Sequence, residues 1–235
     1  MSRQQFSVLT RRHTLSGACQ LPNAAMKHGW HATRKRSIVF EFEFDGVDSM
    51  TLTPASILWR RLDVEGHDSC LLSQVKGGYC LSGQAIFVQD DKPCCLAYEV
   101  VCDAGWQTKS ARVDGFLGLR ALRYAIERVA DGRWTLNGEI QRDVAGLVDV
   151  DLGFTPASNL LAIRRFDLDV GQATPAPAAY LTFPELRLTR LEQRYRRLDK
   201  VRYAYAAPLF GYDDTLEVSP TGFVLDYPGL WTRVA

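Results

Sequence analysis

From Ile57 onward, apolar and polar positions alternate in short runs, and residues that bend the chain separate the runs. In QVKGGYCLSGQAIFVQDDKPCCLAYEVVCD a Gly-Gly pair stands between two alternating runs and Asp-Asp-Lys-Pro precedes a third, the grammar of an antiparallel meander. WQTKSARVDG alternates in the same way. DGRWTLNGEI puts Asp131 and Gly132 in one tight turn, Trp134 and Leu136 on one face, and Asn137 and Gly138 in a second turn. Near the C-terminus, TLEVSPTGFVLDYPGLW reads as two alternating strands joined by SPTG, the clearest hairpin in the chain. ELRLTRLEQRYRRLDK has helical spacing at Leu188, Leu191, Tyr195 and Leu198, but Leu186 and Leu188 alternate, and its neighbours on both sides favour strands. GLRALRYAIERVA fits a short helix or one more strand. No internal repeat and no βαβ rhythm appears, so the expectation is an all-β sandwich or barrel of many short strands with little helix.

One segment combines apolar pattern with charge. In VDVDLGFTPASNLLAIRR, an extended chain places Asp149 and Asp151 on one face and Val148, Val150 and Leu152 on the other. Thr155, Pro156 and Asn159 form turns, and the run Leu160 to Ile163 reads as a second strand that brings Arg164 and Arg165 near the carboxylates. Successive arginines on a strand face opposite sides, so one of the two looks inward, with Arg164 favoured. Three roles fit: an ion-pair staple, an acid/base pair, or a polar patch for a hydroxyl-rich ligand.

Residues 1–53 differ from the rest. They mix Ser, Gln, Asn, His and Thr and alternate only around SIVFEFEFDG. This extension reads either as carrying an added edge strand or as an over-extended frame whose natural start is Met50; residues 54–235 form the β domain. Hydrophobic residues make up 46% and charged residues 23% of the 235, enough to bury a core in one domain. A net charge of +1 gives no electrostatic footprint for nucleic acid. No apolar run has the roughly 20 residues of a membrane-spanning helix, and the N-terminus lacks an export signal, so the expected address is the cytoplasm. There the six cysteines, which form no CxxC, are expected to stay reduced and buried.

The search for chemistry removes several classes. The body of the chain offers only His67, so neither HExxH nor a His/Asp metal cluster exists there. GxSxG, GxxxxGK[ST] and GxGxxG are absent, and no cofactor is expected. Two carboxylates at i and i+2 match the residue types of a glycosidase. Neighbouring arginines, however, hold both acids ionised and deny either the raised pKa of a general acid. The rings of Trp59, Trp106, Trp134, Tyr195, Tyr203, Tyr205, Phe210, Tyr227 and Trp231 either pack a core or line a cavity.

Six stretches together resemble a known family. WRRLD at 59–63, LAYEVVCDAGWQT at 96–108, DGRWTLNG at 131–138, LVDVDLGFTPASNLLAIRR at 147–165, FPELRLTRLEQRY at 183–195 and VLDYPGLWTR at 224–233 are similar to the bacterial putative glycolipid-binding family. The resemblance covers roughly residues 57–233. Asn159, Ile163, Arg164 and Arg165 fit its pattern, while Leu147, Val148 and Ala162 depart from it mildly. It implies a single open or half-barrel antiparallel sheet, similar to periplasmic lipoprotein carriers, whose concave apolar surface holds acyl chains. Asp149, Asp151, Asn159, Arg164, Arg165, Arg60, Trp59 and Tyr195 would then form the polar and aromatic rim for the head group of a lipid or glycolipid, with Arg61 a further candidate beside Arg60. The alternatives are a cofactor-independent enzyme using Asp149 or Asp151 on the same scaffold, and a filled-barrel interaction module.

Overall fold

The structure is a computed structural model that describes residues 54–235. The extension before them, and the readings made of it, lie outside the described residues. Eight strands come first: β1 (Ala55–Arg61), β2 (Gly66–Val75), β3 (Gly78–Gln89), β4 (Lys92–Asp103), β5 (Thr108–Leu117), β6 (Arg120–Arg128), β7 (Trp134–Leu136) and β8 (Glu139–Gln141). Next come β9 (Asp149–Leu152) and one α-helix, α1 (Asn159–Phe166). Then follow β10 (Ala173–Pro175), β11 (Ala178–Leu181), β12 (Leu188–Leu191), β13 (Arg194–Arg197), β14 (Arg202–Ala207), β15 (Tyr212–Val218), β16 (Val224–Tyr227) and β17 (Trp231–Arg233).

Fourteen strands form one open antiparallel sheet in the order β10-β13-β14-β15-β16-β17-β1-β2-β3-β4-β5-β6-β7-β8. It is two meanders joined where β17 pairs with β1, Arg61 opposite Trp231. The turn chemistry read from the sequence sets the hairpins. Asn137 and Gly138 take φ of 51° and 83° between β7 and β8, the left-handed pair that lets a two-residue turn follow strand twist. GLRALRYAIERVA is strand β6, and ELRLTRLEQRYRRLDK supplies β12 and β13.

Two features differ from the sequence reading. The first is the Leu160 to Ile163 run, which is helical rather than a returning strand. A four-residue apolar run has no period of its own. Asn-Leu-Leu-Ala-Ile-Arg-Arg contains good helix formers and a single β-branched residue. The helix closes at Asp167, whose φ of 41° is left-handed and whose N–H donates to the Ile163 carbonyl at 3.2 Å.

The second difference is inside the sheet. β12, β11 and β9 make a separate three-stranded sheet, with β11 parallel to β9, and it packs with α1 against the large sheet. Inward residues of β1 to β6, among them Trp59, Leu72, Leu96 and Val113, share one core with Val150, Leu152, Phe154, Leu160 and Leu181. Ala162 and Ile163 of the same helix belong to a second core with Tyr195, Tyr203 and Leu216. The Arg164 side chain lies against Trp106 of the β4–β5 turn and against Gly222 of the β15–β16 turn. Strands far apart in the sheet order thus meet around one helix, so the sheet curls. The hollow expected to receive hydrocarbon is mostly filled by the protein's own second sheet and helix.

The thiols follow the sequence reading where they are described. Cys70, Cys80, Cys94 and Cys102 are buried, Cys95 is half-buried, and none of them is bridged. Burial pushes the Cys102 thiol up to about 12, so it stays a protonated, unreactive packing group.

Candidate functional site

The sequence between β9 and α1 builds the site. β9 runs beside β11 so that Asp149 aligns with Ala178 and Asp151 with Tyr180. Gly153 to Ser158 then carry the chain into the helix, whose last turn presents Arg165 back to the strand. Arg165 Nε and Nη2 donate to the two Asp149 carboxylate oxygens at 2.9 and 2.6 Å, a bidentate pair with the carboxylate almost fully buried. Burial raises Asp149, and Arg165 beside it pulls the other way.

Asp151 receives no such partner. Ser158 Oγ donates to its Oδ1 at 3.4 Å. Burial pushes the carboxyl up, the Asp149 charge adds to the push, and Ser158 and Gln193 oppose it, leaving a group that titrates at about 7. The expectation that arginines hold both acids ionised therefore holds for neither in full, and fails for Asp151. A helix turns its side chains by about 100° per residue, so the two arginines diverge. Arg165 goes to Asp149 and Arg164 goes over the Trp106 ring at 5.1 Å.

Asp151 opens into a pocket of about 290 Å³ between the small sheet and the β14–β17 end of the large one. Its walls are the rings of Tyr180, Tyr205, Phe210, Tyr212, Tyr227 and Trp231. The rings brace one another edge-on: Tyr180 and Phe210 at 5.6 Å, Tyr205 and Tyr227 at 5.7 Å, Tyr212 and Tyr227 at 5.0 Å. Polar groups sit among them. Tyr205 OH donates to Gln193 Oε1 at 2.7 Å, and Asn159 Nδ2 donates to Tyr195 OH at 2.7 Å behind the wall. Arg61 and Asp63 complete the lining, with Arg61 Nε and Nη2 donating to the Asp63 carboxylate at 2.8 and 2.9 Å. The Arg61 guanidinium lies over the rings of Phe87 at 4.6 Å and Trp231 at 5.2 Å, two cation–π contacts that hold it in place.

Of the eight residues read from sequence, Asp151 and Asn159 line this pocket. The other six stand elsewhere. Asp149 and Arg165 are the staple beneath it, and Arg164 packs on Trp106. Tyr195 is buried behind Asn159. Trp59 is fully buried, its indole N–H donating to the Val224 carbonyl at 2.6 Å. Arg60 is exposed on the outer face, and its neighbour Arg61 takes the inward position because Ile57, Trp59 and Arg61 share one side of β1.

Sequence reasoning named Arg60 and Arg61 together for the head group, and the structure places Arg61 in the lining; it missed Asp63 and a buried cluster around Asp68. Asp68 is fully buried and accepts from Tyr98 OH at 3.0 and 3.2 Å and from Thr155 Oγ1. It fastens the pocket-lining loop at Thr155 to the large sheet. Burial raises this carboxyl to about 6 against the pull of both hydroxyls. A signal existed: Gly66, Asp68, Cys70 and Leu72 occupy the inward positions of β2, and a lone carboxylate among them demands partners.

Gly153 offers a local test of the pocket wall. A Cβ there falls 2.4 Å from Tyr180 OH and 2.7 Å from its ring, so Gly153→Ala must swing the Tyr180 ring. Because the displaced atoms are the far end of one side chain, the variant is expected to keep unfolding free energy within about 1 kcal/mol of the parent. Ligand affinity is expected to fall severalfold, read by titration calorimetry alongside urea unfolding. Unchanged affinity with a displaced ring would show that Tyr180 is not part of the binding wall.

Among the described residues no cluster of metal-ligating groups occurs, and no helix is long and apolar enough to cross a membrane. A family model described as putative glycolipid-binding matches residues 56–233. Comparison with curated proteins finds no match. Among solved structures, the crystal structure of a DUF1089 family protein from Pseudomonas aeruginosa is similar, with a TM-score of 0.63 and 24% identity. The alignment covers 82% of this chain and 98% of that one, and at this identity it speaks for the fold alone.

Proposed function

The chain belongs to the putative glycolipid-binding family, and from that premise we propose that the Asp151 pocket binds the sugar head group of a glycolipid. The observation that carries this reading is the composition of one small cavity: four tyrosines, a tryptophan and a phenylalanine surrounding Asp151, Asn159 and Arg61. A pyranose ring presents apolar C–H faces to stack on aromatic rings and hydroxyls at its edge to bond carboxylate, amide and guanidinium groups. Size supports the same reading. A cavity of about 150 Å³ holds benzene, so about 290 Å³ takes on the order of a dozen non-hydrogen atoms, one hexose and not a pair of acyl chains.

The test is calorimetric titration of delipidated protein with short-chain alkyl glycosides and, separately, with a fatty acid. Asp151→Ala is expected to weaken the glycoside about tenfold, the effect of one charge-assisted hydrogen bond, and to leave the fatty acid unchanged. Equal losses for both would make Asp151 scaffold.

A second reading, a cofactor-independent enzyme, draws on one observation: a carboxyl titrating at about 7 among tyrosine hydroxyls is a candidate general acid. Release of free sugar from an aryl glycoside, lost in Asp151→Asn, would favour it. Saturable binding of the intact glycoside without turnover would favour the binding reading.

A further inference from the structure

The mouth of the pocket carries apolar side chains that the fold leaves exposed. β14 and β15 are joined by Pro208, Leu209, Phe210 and Gly211, all exposed and none charged. Leu209 is 64% and Phe210 56% exposed. Yet this tip is ordered: the Gly211 N–H donates to the Pro208 carbonyl at 3.0 Å, and the Phe210 ring stands edge-on to Tyr180. Phe210 is itself pocket wall, so the tip and the cavity share a surface. A second exposed apolar residue, from the other meander, adjoins a lining residue in the chain. Leu62, 44% exposed, directly precedes the lining residue Asp63, and its N–H is held by the Leu230 carbonyl at 2.8 Å.

We propose that the Leu209–Phe210 tip and Leu62 form a rim that enters the interface of a neutral bilayer, so that the pocket takes a glycolipid head group while the acyl chains stay in the membrane. The inference rests on the head-group reading above and adds where the rest of the ligand goes. A hexose seated in about 290 Å³ leaves no room beside it for acyl chains. A chain attached to a seated sugar must leave through the mouth, past Phe210 and the exposed Leu209 beside it. Ordered, exposed apolar side chains rimming a polar site are the pattern of an interfacial contact. Asp213 and Asp214 follow the tip in β15 and are exposed, which favours a neutral surface over an anionic one.

The experiment uses the full chain and three probes: a free methyl glycoside, phosphatidylcholine vesicles carrying a neutral glycolipid of the same sugar, and plain phosphatidylcholine vesicles. Wild-type protein is expected to bind glycolipid vesicles more tightly than the free glycoside. Leu209→Ser and Leu62→Ser, at exposed positions outside the lining, are each expected to lose about tenfold on those vesicles, the effect of withdrawing one apolar side chain from an apolar phase, and to keep glycoside affinity within about twofold. Vesicle affinity unchanged in both variants would overturn the rim, as would transfer of glycolipid from vesicles into a soluble complex. If no glycoside binds but wild type still sediments with plain vesicles and Leu209→Ser does not, the head-group reading fails and the rim stands.

Discussion

Arg165→Ala is expected to lower the free energy of unfolding by about 3–5 kcal/mol, the cost of breaking a buried ion pair from one side. The Asp149 side chain is only 2% exposed and its two oxygens have both Arg165 donors, so truncation leaves a carboxylate sealed away from water. Asp149 then escapes by taking a proton, which burial already favours, so the loss is expected to be smaller at pH 5 than at pH 8. The same guanidinium lies 3.9 Å over the Phe166 ring, a contact that lysine does not reproduce, and Arg165→Lys should fall between wild type and alanine. Replacing both partners, as Asp149→Leu with Arg165→Leu, is expected to recover most of the loss. Urea unfolding followed by tryptophan fluorescence reads all four proteins. An Arg165→Ala cost below about 1 kcal/mol would mean that water reaches Asp149 and that the pair is not the brace of β9 against α1.

The contrast between Asp149 and Asp151 also marks what the sequence carries and what it does not. Strand alternation and turn residues are local, which is why the Ser219–Gly222 hairpin, the Asn137-Gly138 turn and the many antiparallel strands were readable from the chain, whereas the open form of the sheet was what the family resemblance implied. The shared face of two aspartates at i and i+2 was readable for the same reason. Their fates were not, because what separates them is the helix: a returning strand turns one arginine, Arg164 in the sequence reading, towards the shared face of both acids, whereas the helix delivers Arg165 to Asp149 and turns Arg164 away. Four apolar residues between a Pro-Ala-Ser turn and an Arg pair hold too little periodicity to decide between the two. The tyrosine wall was hidden by distance. Tyr180, Tyr205, Tyr212 and Tyr227 come from β11, β14, β15 and β16, and only the curl of the sheet around α1 brings them to one cavity. The choice of Arg61 over Arg60, and Asp68 itself, were legible in principle as charges at inward positions of strands β1 and β2, once the inward phase of each strand is set by its apolar neighbours.

The stability of the fold is expected to fall as pH rises from about 5 to 8, and Asp151→Asn is expected to remove the larger part of that fall. Both Asp68, at about 6, and Asp151, at about 7, lie above the 3.8 of a free aspartate. A carboxyl raised by burial is favoured in its protonated form by the folded state. Its contribution is complete below about pH 4 and is lost as pH climbs through the folded values. For Asp151 the displacement of about three units corresponds to a ceiling of about 4 kcal/mol. Because its carboxylate is partly exposed to the pocket, about 2–3 kcal/mol is the expected loss by pH 8. Sugar hydroxyls donating to the ionised carboxylate act in the opposite direction, since they favour the charged form and lower its pKa. Affinity for the glycoside is therefore expected to rise with pH below 7, by about tenfold in all, and to level off above it. In Asp151→Asn both dependences should flatten, the stability slope above about pH 6 and the affinity slope throughout. Unfolding curves and calorimetric titrations at matched pH values read the two effects together. Parallel slopes in wild type and Asp151→Asn would remove Asp151 as the titrating group, and with it the claim that its charge faces the ligand.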